Sequence, residues 1–266
     1  MTPFLKWPGG KRWFVQQFSE LLPNHFDRYV EPFLGSGSVY FHLQPKRALL
    51  ADSNPHLIAA YSGIKLDSDR LQTTLELHHE NHSDEYYYQI RGWEPKDLVN
   101  QASRLIYLNR TCFNGIYRTN RQGLFNVPRG DRNEVVRETD DFRAVSNLLR
   151  GAEIRVSDFE AVIDETVRGD FVFADPPYTV RHNVNGFVRY NETLFSWDDQ
   201  ERLSRTLDRA RRRHVKIVST NADHPAVRAL YRDKGFTLTS LNRFSGISAT
   251  TDSRKKFTEL LIRANT

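Results

Sequence analysis

Arg28-Tyr29-Val30-Glu31-Pro32-Phe33-Leu34-Gly35-Ser36-Gly37-Ser38-Val39-Tyr40-Phe41-His42-Leu43 decides the fold class. It opens on an aromatic and β-branched run that reads as a core strand. A glycine loop follows, and then the start of a helix. Strand, G-x-G loop and helix make the opening of a Rossmann-like unit, where backbone N–H groups cradle a nucleotide. The third glycine of the dehydrogenase spacing is missing, because Tyr40 stands three positions after Gly37. Arg47-Ala48-Leu49-Leu50-Ala51-Asp52 reads as the second strand. Asp52 falls seventeen residues after Gly35, near where an acidic residue bonds ribose hydroxyls. Asp52-Ser53-Asn54 before Pro55 also reads as a helix cap, and the two roles are compatible.

Upstream, Phe4-Leu5-Lys6-Trp7-Pro8-Gly9-Gly10-Lys11 places a forced turn before a helix. That helix has the apolar face Trp13, Phe14, Phe18, Leu21 and Leu22 and stops at Pro23. A Gly-Gly turn into a helix offers N–H groups to an anion, and Lys11 adds a charge. An ordinary helix start has the same composition, and the spacing is not that of a phosphate-binding P-loop. Downstream, no strand-length apolar run occurs from 56 to about 150. Amphipathic helices are predicted over 57–66, 68–79, 84–91 and 96–109. The polar and aromatic segment 111–132 follows, with the turn signals Asn114-Gly115, Gln122-Gly123 and Pro128-Arg129-Gly130, and reads as a loop or hairpin. The α/β pattern then resumes, with strands at 153–156, 170–174, 215–220, 236–241 and 257–262. Helices are predicted at 198–213 and 224–234, and Ser157-Asp158 can cap a short one. The arginines of 209–213 read as the solvated end of a helix. The expected fold is therefore α/β. A Rossmann-like sheet in a discontinuous domain, 1–55 and 153–266, is interrupted by a helical domain, 56–152.

Phe171-Val172-Phe173-Ala174 leads into Asp175-Pro176-Pro177-Tyr178. Ligands of open α/β sheets bind outside the carboxyl ends of strands. Ionised Asp175 accepts hydrogen bonds, and the Pro176 carbonyl accepts without a neighbouring N–H. Two fixed acceptors suit a group with two donor hydrogens, such as an exocyclic NH₂. Tyr178 offers a face for base stacking, worth about 1–3 kcal/mol. A strand-ending turn with a buried tyrosine is the plainer reading of the same four residues.

Of the 266 residues, 39% are hydrophobic and 27% charged, as in a globular chain. No apolar run reaches membrane-span length, and 1–11 lacks a secretory h-region, so neither membrane nor export is expected. Cys112 is the single cysteine, which fits a reducing cytoplasm and excludes an intrachain disulfide or a C-x-x-C metal site. Net charge is +5. Between Arg104 and Arg137 all seven basic residues are arginine (104, 110, 118, 121, 129, 132 and 137), opposed only by Asp131 and Glu134. Arginine suits phosphate and guanine edges, so a polyanionic partner is expected.

The runs 4–11, Glu31-Pro32-Phe33-Leu34-Gly35-Ser36-Gly37-Ser38 and Asp175-Pro176-Pro177-Tyr178, in that order, resemble the Dam-type DNA adenine-N6 methyltransferases. So do Tyr107-Leu108-Asn109-Arg110 through Phe113-Asn114-Gly115, Phe125-Asn126-Val127-Pro128 and Ser253-Arg254-Lys255-Lys256. The resemblance spans about residues 4 to 262. It implies an S-adenosylmethionine-binding domain split by a helical target-recognition domain. It also implies a cytoplasmic bacterial or phage-encoded enzyme, expected as a monomer without metal, that methylates adenine in double-stranded DNA after base flipping, as in restriction-modification. Carried over, Trp7, Lys11, Phe33, Asp52, Phe159 and Asp175 line the cofactor site beside Gly35 and Gly37. Asp175, Pro176, Pro177 and Tyr178 hold the adenine. Lys6, Asn114, Ile116, Arg118 and Pro128 fall at DNA-reading positions. Arg118 meets a guanine edge or a phosphate, while Arg129, Arg254, Lys255 and Lys256 are further DNA contacts. Asn109 and Arg110 can equally serve the helix end. Phe187 and Tyr190 either close over the pocket or pack in the core. Many members methylate GATC. This chain departs where Asp131 follows Gly130, so a short motif, GATC among the candidates, is expected. A nicotinamide oxidoreductase does not account for Asp175 to Tyr178, and a zinc deaminase lacks its cysteines. A non-catalytic DNA-binding protein and methylation of RNA or protein amides stay open.

Overall fold

The computed structural model describes residues 1–120, 123–179, 195–243 and 257–266. Arg121, Phe187, Tyr190, Arg254, Lys255 and Lys256 lie outside the described residues. The chain divides into two compact units, one of Met1–Arg12 and Leu34–Val156, the other of Trp13–Phe33 and Ser157–Thr266. Among the described residues it is a mixed α/β chain with seven strands and ten α-helices, consistent with a Rossmann-like methyltransferase.

The second unit carries β1 (Arg28–Glu31), β4 (Asp170–Ala174), β5 (Lys216–Ala222), β6 (Thr237–Arg243) and β7 (Phe257–Ala264). In chain order β2 and β3 belong to the first unit. β4 is buried along its whole length. It pairs in parallel with β1, Tyr29 opposite Phe171, and with β5, Ala174 opposite Ser219. β5 then pairs antiparallel with β7, and β7 with β6. Asp170 at the start of β4 is held by Arg28 at 2.7 Å. α1 (Arg12–Gln17) ends earlier than the apolar face suggests. Pro23 holds Leu22 extended, and the chain tightens into a 3-10 turn at Ser19–Leu21. α8 (Phe159–Asp164) starts on the side chain of Asp158. α9 (Trp197–Arg212) starts on a Ser196–Asp199 capping box, and α10 (Pro225–Tyr231) on His224. The arginines of 209–213 are not merely solvated. Arg209 pairs with Glu160 and Asp164, Arg211 and Arg212 with Asp208, and Arg213 donates to the Ile163 and Thr166 carbonyls.

In the first unit, β2 (Ala48–Asp52) pairs in parallel with β3 (Ala152–Val156), Asp52 opposite Val156. α2 (Ser38–Leu43) follows the glycine loop. The predicted helices form as α3 (Pro55–Leu66), α4 (Ser68–Glu80), α5 (Asp84–Gly92) and α6 (Leu98–Thr111). Each begins on a short polar side chain that accepts a first-turn N–H: Asn54, Asp67, Ser83 and Asp97. A further helix, α7 (Phe142–Leu149), starts on Asp141. α6 is the axis of this unit, and its last seven residues are buried without exception. Gly63 lets α3 approach it, because a Cβ there would lie 2.4 Å from the Leu98 carbonyl and 2.7 Å from Ala102 Cβ. Gly63→Ala must push two backbones apart. It is expected to destabilise the protein by about 1–3 kcal/mol, the usual cost of overpacking, read as a lower thermal midpoint.

His78 on α4 is buried beneath Tyr86 and Trp93. Ser103 gives its proton to the Asn100 carbonyl, so its oxygen accepts from His78 Nε2 at 3.3 Å, and Nδ1 accepts from Tyr86 at 2.7 Å. Burial pushes the imidazole down to about 4. An unfolded histidine titrates near 6.5, so the unfolded chain binds the extra proton between those values. The stability contribution is complete above about pH 6.5 and is lost as pH falls toward 4, at up to about 1.4 kcal/mol per pH unit. His78→Gln should flatten that limb of the melting-temperature profile relative to the parent chain.

Candidate active site

The turn at 175–178 leaves the end of a buried strand. Because Ala174 lies opposite Ser219, the next residue of β5, Thr220, comes beside Asp175. The Thr220 hydroxyl donates to Asp175 Oδ1 at 2.6 Å. The Tyr178 hydroxyl donates to Glu259 Oε2 at 2.5 Å. Burial raises the Tyr178 phenol well above its ordinary value, and the charges of Asp175 and Glu259 push the same way. Gln200 donates to the Pro177 carbonyl at 3.2 Å and accepts from Asn221 at 2.8 Å. The turn therefore brings together a half-buried carboxylate and a half-buried aromatic ring, which can accept from an amino group and lie against a flat base.

The same unit builds an aromatic wall. Phe33 and Phe159 stack with centroids 5.3 Å apart, and Phe195 meets both at 5.6 Å. The guanidinium of Arg202 covers the Phe159 ring at 4.1 Å and is itself fixed by Asp158 at 2.7 Å. Phe33 stays half-buried. A flat apolar group can lie against it.

In the first unit, the glycine loop curls over Asp52. Gly35 and Gly37 have φ of +48° and +62°, the left-handed region that glycine adopts without strain. Asp52 accepts from Gly35 N at 3.1 Å and from Asn54 N at 3.0 Å. Burial raises its pKa, and these backbone N–H bonds pull it back. The capping role belongs to Asn54, which accepts from His56 N and Leu57 N. Trp7 packs on the loop, since a Cβ on Gly35 would lie 3.1 Å from its Cδ1. Lys11 is buried and donates to the Gly9 carbonyl at 3.0 Å.

Residues 111–120 and 123–130 pair as the two arms of an irregular hairpin, with Thr119 bridging Phe125 and Cys112 bridging Arg129. Tyr117, Phe125 and Val127 are buried, while Ile116, Arg118, Asn126 and Pro128 are exposed. Tyr117 stacks on Trp7 at 5.6 Å and meets Phe125 at 4.9 Å. Lys6 donates to the Asn114 carbonyl at 2.6 Å. Lys6, Asn114, Ile116, Arg118 and Pro128 are all exposed. Arg118 touches Asn126 at 3.4 Å. Arg129 is instead engaged by Asp84 at 3.0 Å and Asn133 at 2.8 Å. Two arginines of the basic run turn inward. Arg104 donates to the Ile90 and Arg91 carbonyls, and Arg110 is buried on Asp140, Val135 and Phe4.

Sequence reasoning missed Thr220, Glu259, Gln200 and Asn221 around the turn, and it left Asn109 undecided. The Asn109 side chain clamps Lys6, accepting from its N at 3.0 Å and donating to its O at 2.8 Å. The signal for these residues was polar side chains inside otherwise apolar strands and a helix, which need partners when buried. Among the described residues no group of three His, Cys, Asp or Glu is placed to hold a metal, and no helix is long and apolar enough to cross a membrane.

Comparison with known proteins shows the family of the chain. Residues 7–247 match the model of the D12 class N6 adenine-specific DNA methyltransferases. The chain is 32% identical to the type II methyltransferase M1.LlaDCHI of Lactococcus lactis subsp. cremoris, covering 98% of this chain and 95% of that one. It is 35% identical to the type II methyltransferase M.MjaIII of Methanocaldococcus jannaschii, over 84% of each. It is 32% identical to the DNA adenine methylase of Escherichia coli K12, over 97% of this chain and 93% of that one. A family match over nearly the whole length, on a chain whose β4 is followed by Asp175-Pro176-Pro177-Tyr178, makes this protein a member of the D12 class N6 adenine-specific DNA methyltransferases.

Proposed function

We propose that the chain methylates the amino nitrogen of an adenine flipped out of a short duplex motif, with S-adenosylmethionine as donor, and that Asp175, Pro176, Pro177 and Tyr178 hold that adenine. The observation that carries the reading is the turn after β4, where the Thr220 hydroxyl orients the Asp175 carboxylate at 2.6 Å. The two amino hydrogens would bond Asp175 and the Pro176 carbonyl. Those bonds favour a pyramidal nitrogen and free its lone pair from the ring. The Asp175 carboxylate is also the acceptor for the proton released once nitrogen is methylated. Tyr178 stacking offsets part of the cost of extruding the base, a few kcal/mol.

The residues present fit the donor. Asp52 keeps lone pairs beyond its two backbone bonds and would accept from ribose hydroxyls. Gly35 and Gly37 would hold the loop open, Trp7 and Lys11 would support it, and Phe33 with Phe159 would offer a face for a purine. When bound, S-adenosylmethionine supplies an electrophilic methyl carbon on a sulfonium centre.

The target would be recognised by residues of 56–152 with Lys6, and the discontinuous remainder of the chain would carry the catalysis. Arg118 is the candidate for a bidentate guanine contact, with Asn114, Ile116 and Pro128 beside it. Arg129, already ion-paired, and the triplet Arg254, Lys255 and Lys256 would meet phosphate. GATC is the first motif to test. Methyl incorporation from labelled S-adenosylmethionine into unmethylated genomic DNA, mapped by modification-sensitive sequencing, should place the label in N6-methyladenine at one short motif. Label in RNA alone would replace DNA as the substrate.

Asp175→Ala should lower turnover by at least about a hundredfold while duplex binding persists. Undiminished turnover in that variant would sink the assignment. Arg118→Ala should relax discrimination at one base position by about 1–3 kcal/mol in competition with single-base variants of the motif. An equal loss on every sequence would make it a phosphate contact instead.

A further inference from the structure

A Pro-Pro turn cannot lock itself. Pro176 and Pro177 contribute no N–H, so the two backbone donors that would normally pin such a turn are missing. The bonds come from side chains of other elements. Thr220 of β5 donates to Asp175 Oδ1 at 2.6 Å. Gln200 of α9 donates to the Pro177 carbonyl at 3.2 Å, and Asn221 of β5 holds Gln200 at 2.8 Å. Glu259 of β7 accepts from the Tyr178 hydroxyl at 2.5 Å. Thr220, Asn221 and Gln200 are fully buried and Glu259 is 6% exposed. Burying four polar side chains is unfavourable unless each is bonded. Apolar residues of similar size would fill the same space without that cost, so the gain is in geometry.

We propose that Thr220, Glu259 and the Gln200–Asn221 pair are positioning residues for methyl transfer that together fix the turn. Thr220 sets the plane of the Asp175 carboxylate and also meets the Tyr178 hydroxyl, Gln200 anchors the Pro177 carbonyl, and Glu259 holds the Tyr178 ring by its hydroxyl. The inference rests on the reading of Asp175 and Tyr178 as the adenine-holding residues.

The test uses the full chain, with labelled S-adenosylmethionine and duplex DNA carrying the mapped motif. Thr220→Val keeps the shape and removes the donor, while Thr220→Ser keeps the donor. Thr220→Val should lower the single-turnover rate at least tenfold, leave the KM for DNA within about twofold, and keep the melting temperature. Thr220→Ser should recover most of the rate. Glu259→Leu should weaken the fluorescence rise of 2-aminopurine placed at the target base, and Glu259→Gln, whose carbonyl still accepts, should restore it. Full rate in Thr220→Val together with a full fluorescence rise in Glu259→Leu would overturn the proposal. A rate that falls only as the melting temperature falls, with no rescue by serine, would overturn it too. Should Thr220→Val fail to fold, the Glu259 pair decides alone. Asp175→Ala separates the two failures: full turnover there removes the adenine-holding reading itself, whereas an inactive Asp175→Ala beside a fully active Thr220→Val and a full fluorescence rise in Glu259→Leu removes only this inference.

Discussion

The burial of β4 on both faces is the constraint on which the second unit depends. A strand enclosed this way must pair every backbone group with its neighbours, here β1 and β5, and can place polar side chains only at its ends. Asp170 marks one end and is bonded by Arg28. Asp175 follows the other end and is bonded by Thr220. The parallel register fixes which residue of β5 stands beside Asp175. A slip of one residue would turn every side chain of β5 to the opposite face. The carboxylate therefore inherits its position from the core.

In the first unit the comparable element is the buried end of α6. Arg110 has no exposed side-chain surface and lies 2.5 Å from Asp140. It also donates to the Val135 and Phe4 carbonyls. Removing one partner of such a buried pair typically costs about 3–5 kcal/mol, because the other charge is left uncompensated. The pair holds together three chain segments far apart in sequence. One residue earlier, Asn109 clamps Lys6 by both backbone groups. Neighbouring positions of one helix thus orient the residue before Trp7 and the loop that leads into α7.

The elements were legible where one periodicity ruled. Strands 170–174 and 47–52 are apolar runs with a charge at the boundary, and all four helices of 56–109 appear within two or three residues of expectation, because each carries its own cap. α7 was overlooked although Phe142, Val145, Ser146 and Leu149 make one buried stripe, because its eight residues follow a polar stretch with no strong break. Asp175 and Tyr178 could be singled out by residue type and by their place after a strand. Thr220, Glu259 and Gln200 could not be, because their roles exist only through pairings between residues 23 to 81 positions apart. The basic run misled in part for the same reason. Composition counts Arg104 and Arg110 as surface charge, whereas carbonyl groups brought near by folding draw them inward.

The paired arms 111–120 and 123–130 take their outward chemistry from their inward packing. Burial alternates along both arms, with Tyr117 inside between Ile116 and Arg118, and Phe125 and Val127 inside around Asn126. Strict alternation commits one face of a strand pair to the core and the other to solvent. Tyr117 is fixed by stacking on Trp7, and the Tyr87 hydroxyl donates to the Val127 carbonyl at 3.0 Å. Gly130 closes the base of the hairpin, where a Cβ would lie 2.7 Å from the Cys112 carbonyl. Only glycine allows that approach. The exposed residues on the other face are therefore presented by a frame that is already ordered, and the entropy of arranging the main chain is spent in folding. Arg118 projects from that backbone on the exposed face, where its Nε donates to Asn126 Oδ1 at 3.4 Å, so the two exposed side chains of facing arms are paired by the same register that buries Tyr117 and Phe125.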